Sequence, residues 1–64
     1  MKINNCLKKI RQQKDLTQEA LAARVGVTRQ SIIAIEKGKF VPSVKLALEI
    51  VAALGVSLEE VFWL

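Results

Sequence analysis

Two signals for helix boundaries stand almost side by side in the middle of the chain. Gly26 is suited to end a helix, because the residue after a helix often needs a positive φ. That backbone conformation costs glycine nothing and costs other residues about 1 kcal/mol or more. Thr28 is suited to begin the next helix by accepting a hydrogen bond from a first-turn amide. With only Val27 between them, the two helices must meet at a sharp angle, which predicts a helix-turn-helix.

Similar signals place the helices on either side of this turn. A first helix is predicted from the apolar spacing of Ile3, Leu7 and Ile10, with its end near Lys14 or Asp15. Thr17 is the predicted cap of the second helix, and the third is predicted over 29–37. The helix-turn-helix therefore spans about 18–37.

Two further helices are predicted after the loop that ends at Pro42. Ser43 caps a fourth helix that ends at Gly55, and Ser57 with Glu60 forms a capping box for a short fifth helix. The predicted apolar stripe of the fourth helix is Val44, Leu46, Ala47, Ile50, Val51 and Leu54. The fifth helix is predicted to run through Val61, Phe62 and Trp63. No alternating apolar run indicates a strand, so we expect one all-α, five-helix domain over 1–64.

The residue inventory limits the kinds of chemistry available to the chain. It has no histidine or tyrosine, one aspartate, and Cys6 as its single cysteine. It also lacks a glycine-rich loop that could hold phosphate, so we expect no catalytic residues, no metal site and no cofactor. Cys6 is interpreted as a packing residue, with a redox sensor as the alternative. The fold must therefore depend on apolar packing, for which 52% hydrophobic residues suffice.

Positive charge is concentrated in the first part of the chain. Residues 1–39 carry nine of the ten basic residues and three acidic ones, giving +6, whereas residues 40–64 carry a charge of −2. This asymmetry favours contact between one end of the molecule and a polyanion, with a simply solvated surface as the alternative. No apolar run is long enough to cross a bilayer, and the polar Asn4, Asn5, Lys8 and Lys9 follow Lys2 where a signal peptide would be apolar. We expect a cytoplasmic protein without a membrane partner.

Five residues of the helix-turn-helix have spacings with a physical explanation. Gln18, Ala22, Gly26, Ile32 and Ile35 occupy relative positions 1, 5, 9, 15 and 18. The small alanine allows close helix approach, the glycine makes the turn, and the isoleucines anchor the third helix. This pattern, with the segments 16–22, 26–32, 35–39 and 53–59, resembles the Cro and phage-repressor (C1) type of helix-turn-helix regulators, also called Xre-like. The resemblance covers about 7–62 and implies a phage-repressor-like DNA-binding domain.

The resemblance implies that the third helix enters the major groove of double-stranded DNA. Arg29 and Gln30 then occupy base-reading positions, where an arginine pairs with guanine and a carboxamide with adenine. Ile33 and Ala34 follow one turn later, where apolar groups contact a thymine methyl; many relatives carry a polar residue at one of these two positions. The alternative is that Arg29 and Gln30 are only solvated.

The resemblance also assigns contacts to the DNA backbone and one structural ion pair. Gln18 lies at a helix N-terminus, which suits a phosphate oxygen. The expected backbone contacts are Thr17, Gln18, Thr28, Lys37, Gly38, Lys39 and Phe40. Arg11 and Glu36 pair in many relatives; the pair contributes about 0–1 kcal/mol if exposed, whereas losing one partner costs about 3–5 kcal/mol if it is buried. The sequence leaves both cases open. Lys8, Lys9 and Lys14 are interpreted as solubilising charge, with phosphate contacts as the alternative.

A single small module reads few base pairs, which favours a homodimer on two half-sites. The expected subunit contacts are Leu58, Val61, Phe62, Trp63 and Leu64. The alternative is that this apolar tail only completes the core of its own domain. The predicted function is a transcriptional regulator, with repression favoured over activation. An antitoxin that binds both a protein partner and its own operator has the same fold and is the second hypothesis; an enzyme is disfavoured.

Overall fold

The computed structural model describes residues 3–64, which form five helices and a two-stranded antiparallel ribbon. The two residues before this range, Met1 and Lys2, belong to the predicted domain but lie outside the described residues. In chain order the elements are β1 Asn4–Asn5, α1 Leu7–Gln13, α2 Gln18–Val25, α3 Arg29–Glu36, α4 Val44–Leu54, α5 Leu58–Val61 and β2 Phe62–Trp63. The described part measures 28 × 21 × 19 Å. The predicted five-helix fold is confirmed.

The predicted helix caps are present as hydrogen bonds. The hydroxyls of Thr17, Thr28 and Ser43 accept from the backbone amides of Ala20, Ser31 and Leu46 at 3.0, 3.3 and 3.1 Å. Gly26 has a φ of 73° and is the C-cap of α2, as predicted. Its amide bonds to the Ala22 carbonyl, and that of Val27 donates to the same oxygen at 3.0 Å. The capping box of α5 is also formed.

Every helix contributes to one apolar core. The side chains with almost no exposure are Leu7, Leu21, Ile32, Ile35, Ile50 and Val61. They pack with the smaller or less enclosed Ala22, Val25, Leu46, Val51 and Leu54. Burial of one such aliphatic side chain stabilises the fold by about 1.5–3 kcal/mol. This common core fixes α2 and α3 relative to each other and to the rest of the molecule.

The ribbon corrects two of the predicted helix boundaries and the expectation that strands are absent. Asn4 pairs with Trp63, Asn5 pairs with Phe62, and the amide of Cys6 donates to the Val61 carbonyl at 3.0 Å. Ile3 therefore precedes α1, and α5 ends before Phe62 and Trp63. The physical reason is that the two ends of the described chain meet and satisfy their backbone groups across the gap, which an alternation rule for single strands does not detect.

Val44 is a second correction, because its side chain is 75% exposed instead of buried. At about 100° per residue, Val44 lies roughly 90° from the centre of the stripe formed by the other predicted core residues of α4. It therefore stands at the edge of the buried face. In residues 3–64 no helix is both long and apolar enough to cross a membrane.

Candidate nucleic-acid interface

Helix α3 has a firmly buried side and an exposed polar side. Ile32 and Ile35 are 0% and 1% exposed, so they fix the helix to the core. Arg29 and Gln30, in the first turn, are exposed on the other side. The first amides of a helix have no acceptor within the helix, and the partial positive charge of its N-terminus is at the same end. The start of α3 therefore presents hydrogen-bond donors on a rigid support.

The exposed side of α3 becomes more apolar toward its C-terminal end. Ile33 and Ala34 are half-buried, and they follow Arg29 and Gln30 by one helical turn. Lys37 lies a further turn along and is exposed. These five residues share one face of the helix, because residues four apart lie above one another. The structure thus brings the predicted base-reading residues together on one surface.

Arg11 and Glu36 form a buried ion pair between α1 and the end of α3. Nε of Arg11 lies 2.7 Å from Oε2 of Glu36, and the two side chains are only 8% and 5% exposed. A terminal nitrogen of Arg11 also donates to the Leu16 carbonyl at 2.8 Å. Because both side chains are buried, the loss of either partner of this pair is expected to be costly.

Gln18 joins this ion pair to the exposed edge of α3. Its Nε2 donates to Oε1 of Glu36 at 3.1 Å, and its Oε1 accepts from Nε of Arg29 at 3.4 Å. The sequence pattern predicts only a phosphate contact for Gln18. Its links to Glu36 and Arg29 were missed, because partners 18 and 11 residues away produce no local pattern.

An open depression of about 510 Å³ lies where the first three helices meet, beside the N-terminus of α2. Its lining residues are Lys8, Arg11, Thr17, Gln18, Glu19 and Arg29. Three of these side chains are cationic, with the charge of Arg11 balanced by Glu36, and one is acidic. The first amides of α2 have no acceptor within their own helix. Such an arrangement attracts an anionic oxygen. Lys8, interpreted from the sequence as solubilising charge, lies at this depression, whereas Lys9 and Lys14 are not among its lining residues.

The turn that leaves α3 has backbone amides already used within the protein. The amides of Lys37, Gly38 and Lys39 donate to the carbonyls of residues 33, 35 and 34 at 3.1, 3.0 and 2.9 Å. The amide of Gly38, expected to contact DNA, thus has an internal acceptor. The side chains of Lys37, Lys39 and Phe40 are exposed. A contact between this turn and the DNA backbone would therefore depend on the lysine side chains more than on the protein's amides.

The structure separates the residues expected at a subunit contact. Val61 is fully buried and belongs to the core, so its assignment to an interface is wrong. Phe62 is half-buried and packs against the core, whereas Leu58, Trp63 and Leu64 are 37%, 47% and 84% exposed. Leu58 and Phe62 also line an apolar groove of about 150 Å³, together with Ile3, Pro42, Val44 and Ala47.

Asn5 is a further supporting residue, with a role that was not predicted from the sequence. Its Nδ2 donates to the carbonyl of Ile35 at 2.9 Å, and its Oδ1 accepts from the amide of Leu7 at 3.1 Å. One side chain therefore starts α1 and holds the last turn of α3. The contact with Ile35 has no signal in the sequence, because that residue is 30 positions away.

Comparisons with known proteins agree with this geometry. The helix-turn-helix family profile matches residues 7–61. The chain is 53% identical to an HTH-type transcriptional regulator of Methanocaldococcus jannaschii over 60 residues, which is 94% of this chain and 91% of that protein. It is 48% identical to the regulator YgzD of Bacillus subtilis over 62 residues, covering 97% and 94% of the two chains. The crystal structure of the restriction-modification controller protein C.AhdI from Aeromonas hydrophila superposes with a TM-score of 0.79 at 31% identity, over 84% of this chain and 82% of that one.

Proposed function

The chain belongs to the Cro/C1-type helix-turn-helix family of DNA-binding transcriptional regulators, and we propose that it recognises a specific operator with α3 in the major groove. The observation that carries this proposal is the exposed start of α3. Arg29 and Gln30 are exposed there, while Ile32 and Ile35 are buried on the other side of the helix and hold it to the core. The major groove of DNA admits one α-helix, and the side chains of a helix held in place by its own protein core can read the base edges.

Each exposed side chain of α3 has a chemical partner in the groove. Arg29 donates to O6 and N7 of guanine, and Gln30 makes a bidentate contact with adenine; each such pair contributes about 1–3 kcal/mol of discrimination against the wrong base. The half-buried Ile33 and Ala34 offer apolar contact to a thymine methyl. These contacts supply specificity.

Affinity without specificity comes from the phosphates on either side of the groove. The depression at the start of α2 receives one phosphate through Gln18, Thr17 and the free amides of the first turn. Thr28, the N-cap of α3, contacts the same DNA strand. The exposed side chains of Lys37 and Lys39 contact the DNA backbone beyond the end of α3. Such contacts position the protein and make binding sensitive to salt.

Two substitutions separate these roles. Operator sequences are first selected from random DNA, and affinities are then measured for the operator, its single-base variants and random DNA at several salt concentrations. Arg29→Ala is expected to relax preference at one base pair, by about 5- to 150-fold. Lys39→Ala is expected to weaken binding equally on all sequences and to lower the salt slope by about one ion. Equal losses on operator and random DNA for both variants would contradict the assignment.

The proposed operator complex contains two copies of this chain. A homodimer places two α3 helices about one turn of DNA apart, and this doubles the number of bases read. The exposed Leu58, Trp63 and Leu64 are the surface we propose for the second copy, and Leu58 also lines the apolar groove. Aromatic residues of this kind are enriched in subunit interfaces.

Sedimentation at a series of protein concentrations tests the dimer. Removing Leu64 together with Trp63→Ala is expected to weaken association by about 30-fold or more, which corresponds to the loss of an interface hot spot. Leu48→Ala is the matched control, because it shortens a half-exposed apolar side chain outside the proposed surface. An unchanged dimer in the first variant refutes this interface.

We propose repression as the outcome of binding. Occupation of an operator that overlaps a promoter excludes the polymerase and requires no further contact. A reporter gene behind the selected operator should therefore be expressed less when the protein is present, and Arg29→Ala should restore its expression. Increased expression would indicate activation instead.

A further inference from the structure

A continuous chain of hydrogen bonds runs from the buried ion pair to the exposed edge of α3. The carboxylate of Glu36 accepts from Arg11 at 2.7 Å and from Nε2 of Gln18 at 3.1 Å. Oε1 of Gln18 then accepts from Nε of Arg29 at 3.4 Å. We propose that Gln18 is a positioning residue for Arg29, and that Glu36 fixes the orientation of its side-chain amide.

The orientation of the Gln18 amide follows from the chemistry of its neighbour. An ionised carboxylate only accepts hydrogen bonds, whereas an amide has a donating and an accepting end. If the Gln18 amide were reversed, its oxygen would face Glu36 without a hydrogen between them. The nitrogen end is therefore held at Glu36. Because Arg11 and Glu36 are themselves buried and bonded to each other, this reference point does not move.

The fixed Gln18 amide holds Arg29 without engaging its terminal nitrogens. The Gln18 oxygen faces Arg29 and accepts from Nε, which is the donor nearest the main chain. The two terminal nitrogens of Arg29 have no acceptor among the residues that the structure describes. Those two nitrogens form the fork that matches O6 and N7 of guanine. Gln18 thus restricts the rotation of Arg29 without using the donors that read a base.

Positioning and phosphate binding are compatible functions of Gln18. Its Nε2 carries two hydrogens, of which one is directed to Glu36, and the second is available to a phosphate in the adjoining depression. The two functions have different consequences. Loss of a phosphate contact weakens binding on every sequence, whereas loss of positioning changes the preference for one base pair.

This inference rests on the proposed base-reading role of Arg29, and one set of binding measurements tests both. Discrimination is the ratio of the dissociation constants for the variant operator, changed at the base pair assigned to Arg29, and for the selected operator. Gln18→Met retains the length of the side chain but cannot position Arg29. It is expected to lower discrimination by about 2- to 12-fold, the equivalent of one net hydrogen bond. In the Arg29→Ala background it should lower discrimination no further.

Control variants separate the possible outcomes. Gln13→Met makes the same change at an exposed glutamine of α1 and should leave discrimination unchanged. If Arg29→Ala lowers discrimination and Gln18→Met does not, the positioning role is refuted and the proposed function stands. If Arg29→Ala has no effect on discrimination, both fail. Glu36→Gln replaces the carboxylate with an amide that can accept or donate, so the orientation of the Gln18 amide is no longer fixed. Discrimination should then fall as it does in Gln18→Met, and unchanged discrimination overturns the role of Glu36.

A measurement on the DNA-free protein tests the contact itself. In proton–nitrogen NMR spectra, the Nε proton of Arg29 should exchange with water faster in Gln18→Met than in the wild type, while Gln13→Met should match the wild type. Thermal unfolding of the same samples verifies that each variant is folded. Equal exchange rates in all three proteins would overturn the proposal without reference to DNA.

Discussion

The buried ion pair offers the sharpest test of how this small domain is held together. Glu36→Gln preserves the shape of the side chain and removes its charge, so Arg11 remains buried without a counterion. The two side chains are only 8% and 5% exposed, and solvent cannot replace the lost partner. The affected contacts include the Arg11–Glu36 bond of 2.7 Å and the acceptor for Gln18.

The expected loss lies between two limits. One charge-assisted hydrogen bond contributes about 1.5–3 kcal/mol. A buried pair that loses one partner completely costs about 3–5 kcal/mol. Because glutamine still offers one acceptor oxygen, we expect the free energy of unfolding to fall by about 2–4 kcal/mol. A domain of 64 residues has roughly 3–10 kcal/mol in total. The substitution should therefore remove a large share of the stability of the domain.

Urea unfolding followed by circular dichroism measures this loss. The slope of the free energy against urea should stay the same while the midpoint falls, since the surface exposed on unfolding does not change. Glu49→Gln is the matched control, because it removes a negative charge from an exposed position on α4 and should change stability by at most about 0.5 kcal/mol. A loss below about 1 kcal/mol for Glu36→Gln would contradict this expectation, because so small a loss is typical of an exposed pair.

Two further substitutions test the helix ends. Gly26→Ala should destabilise the fold by about 1–2 kcal/mol in urea unfolding, because φ is 73° and an added Cβ meets no atom within 4 Å, so strain is the only cost; an unchanged midpoint would contradict this. At Glu60, hydrogen bonds from the Ser57 amide and then the Ser57 hydroxyl lower the pKa below its usual value. The contribution of this carboxylate to stability should therefore be fully present above the pKa of the unfolded state. It should be lost as the pH falls through the lower pKa of the folded state. The stability difference between wild type and Glu60→Gln should follow that pattern, and a difference independent of pH would exclude it.

Local residue patterns were sufficient to predict most of the helix boundaries and the sharp turn between α2 and α3. Caps such as Thr17 and Thr28 bond to amides three residues later, and Gly26 bonds within its own helix end. These interactions join neighbours in the chain, so their residue types and spacing are visible without a structure. The same local pattern carried the family resemblance and, with it, the assignment of Arg29 and Gln30.

Contacts between distant parts of the chain became visible only once the chain was folded. The ribbon joins residues almost 60 positions apart, Val61 lies in the core and not at the subunit contact where it was expected, and Gln18 connects Glu36 with Arg29. Whether Arg11 and Glu36 are buried or exposed was likewise undetermined by their identity. Such outcomes depend on how helices pack around a shared core, and packing is a property of the whole set of side chains instead of any short segment.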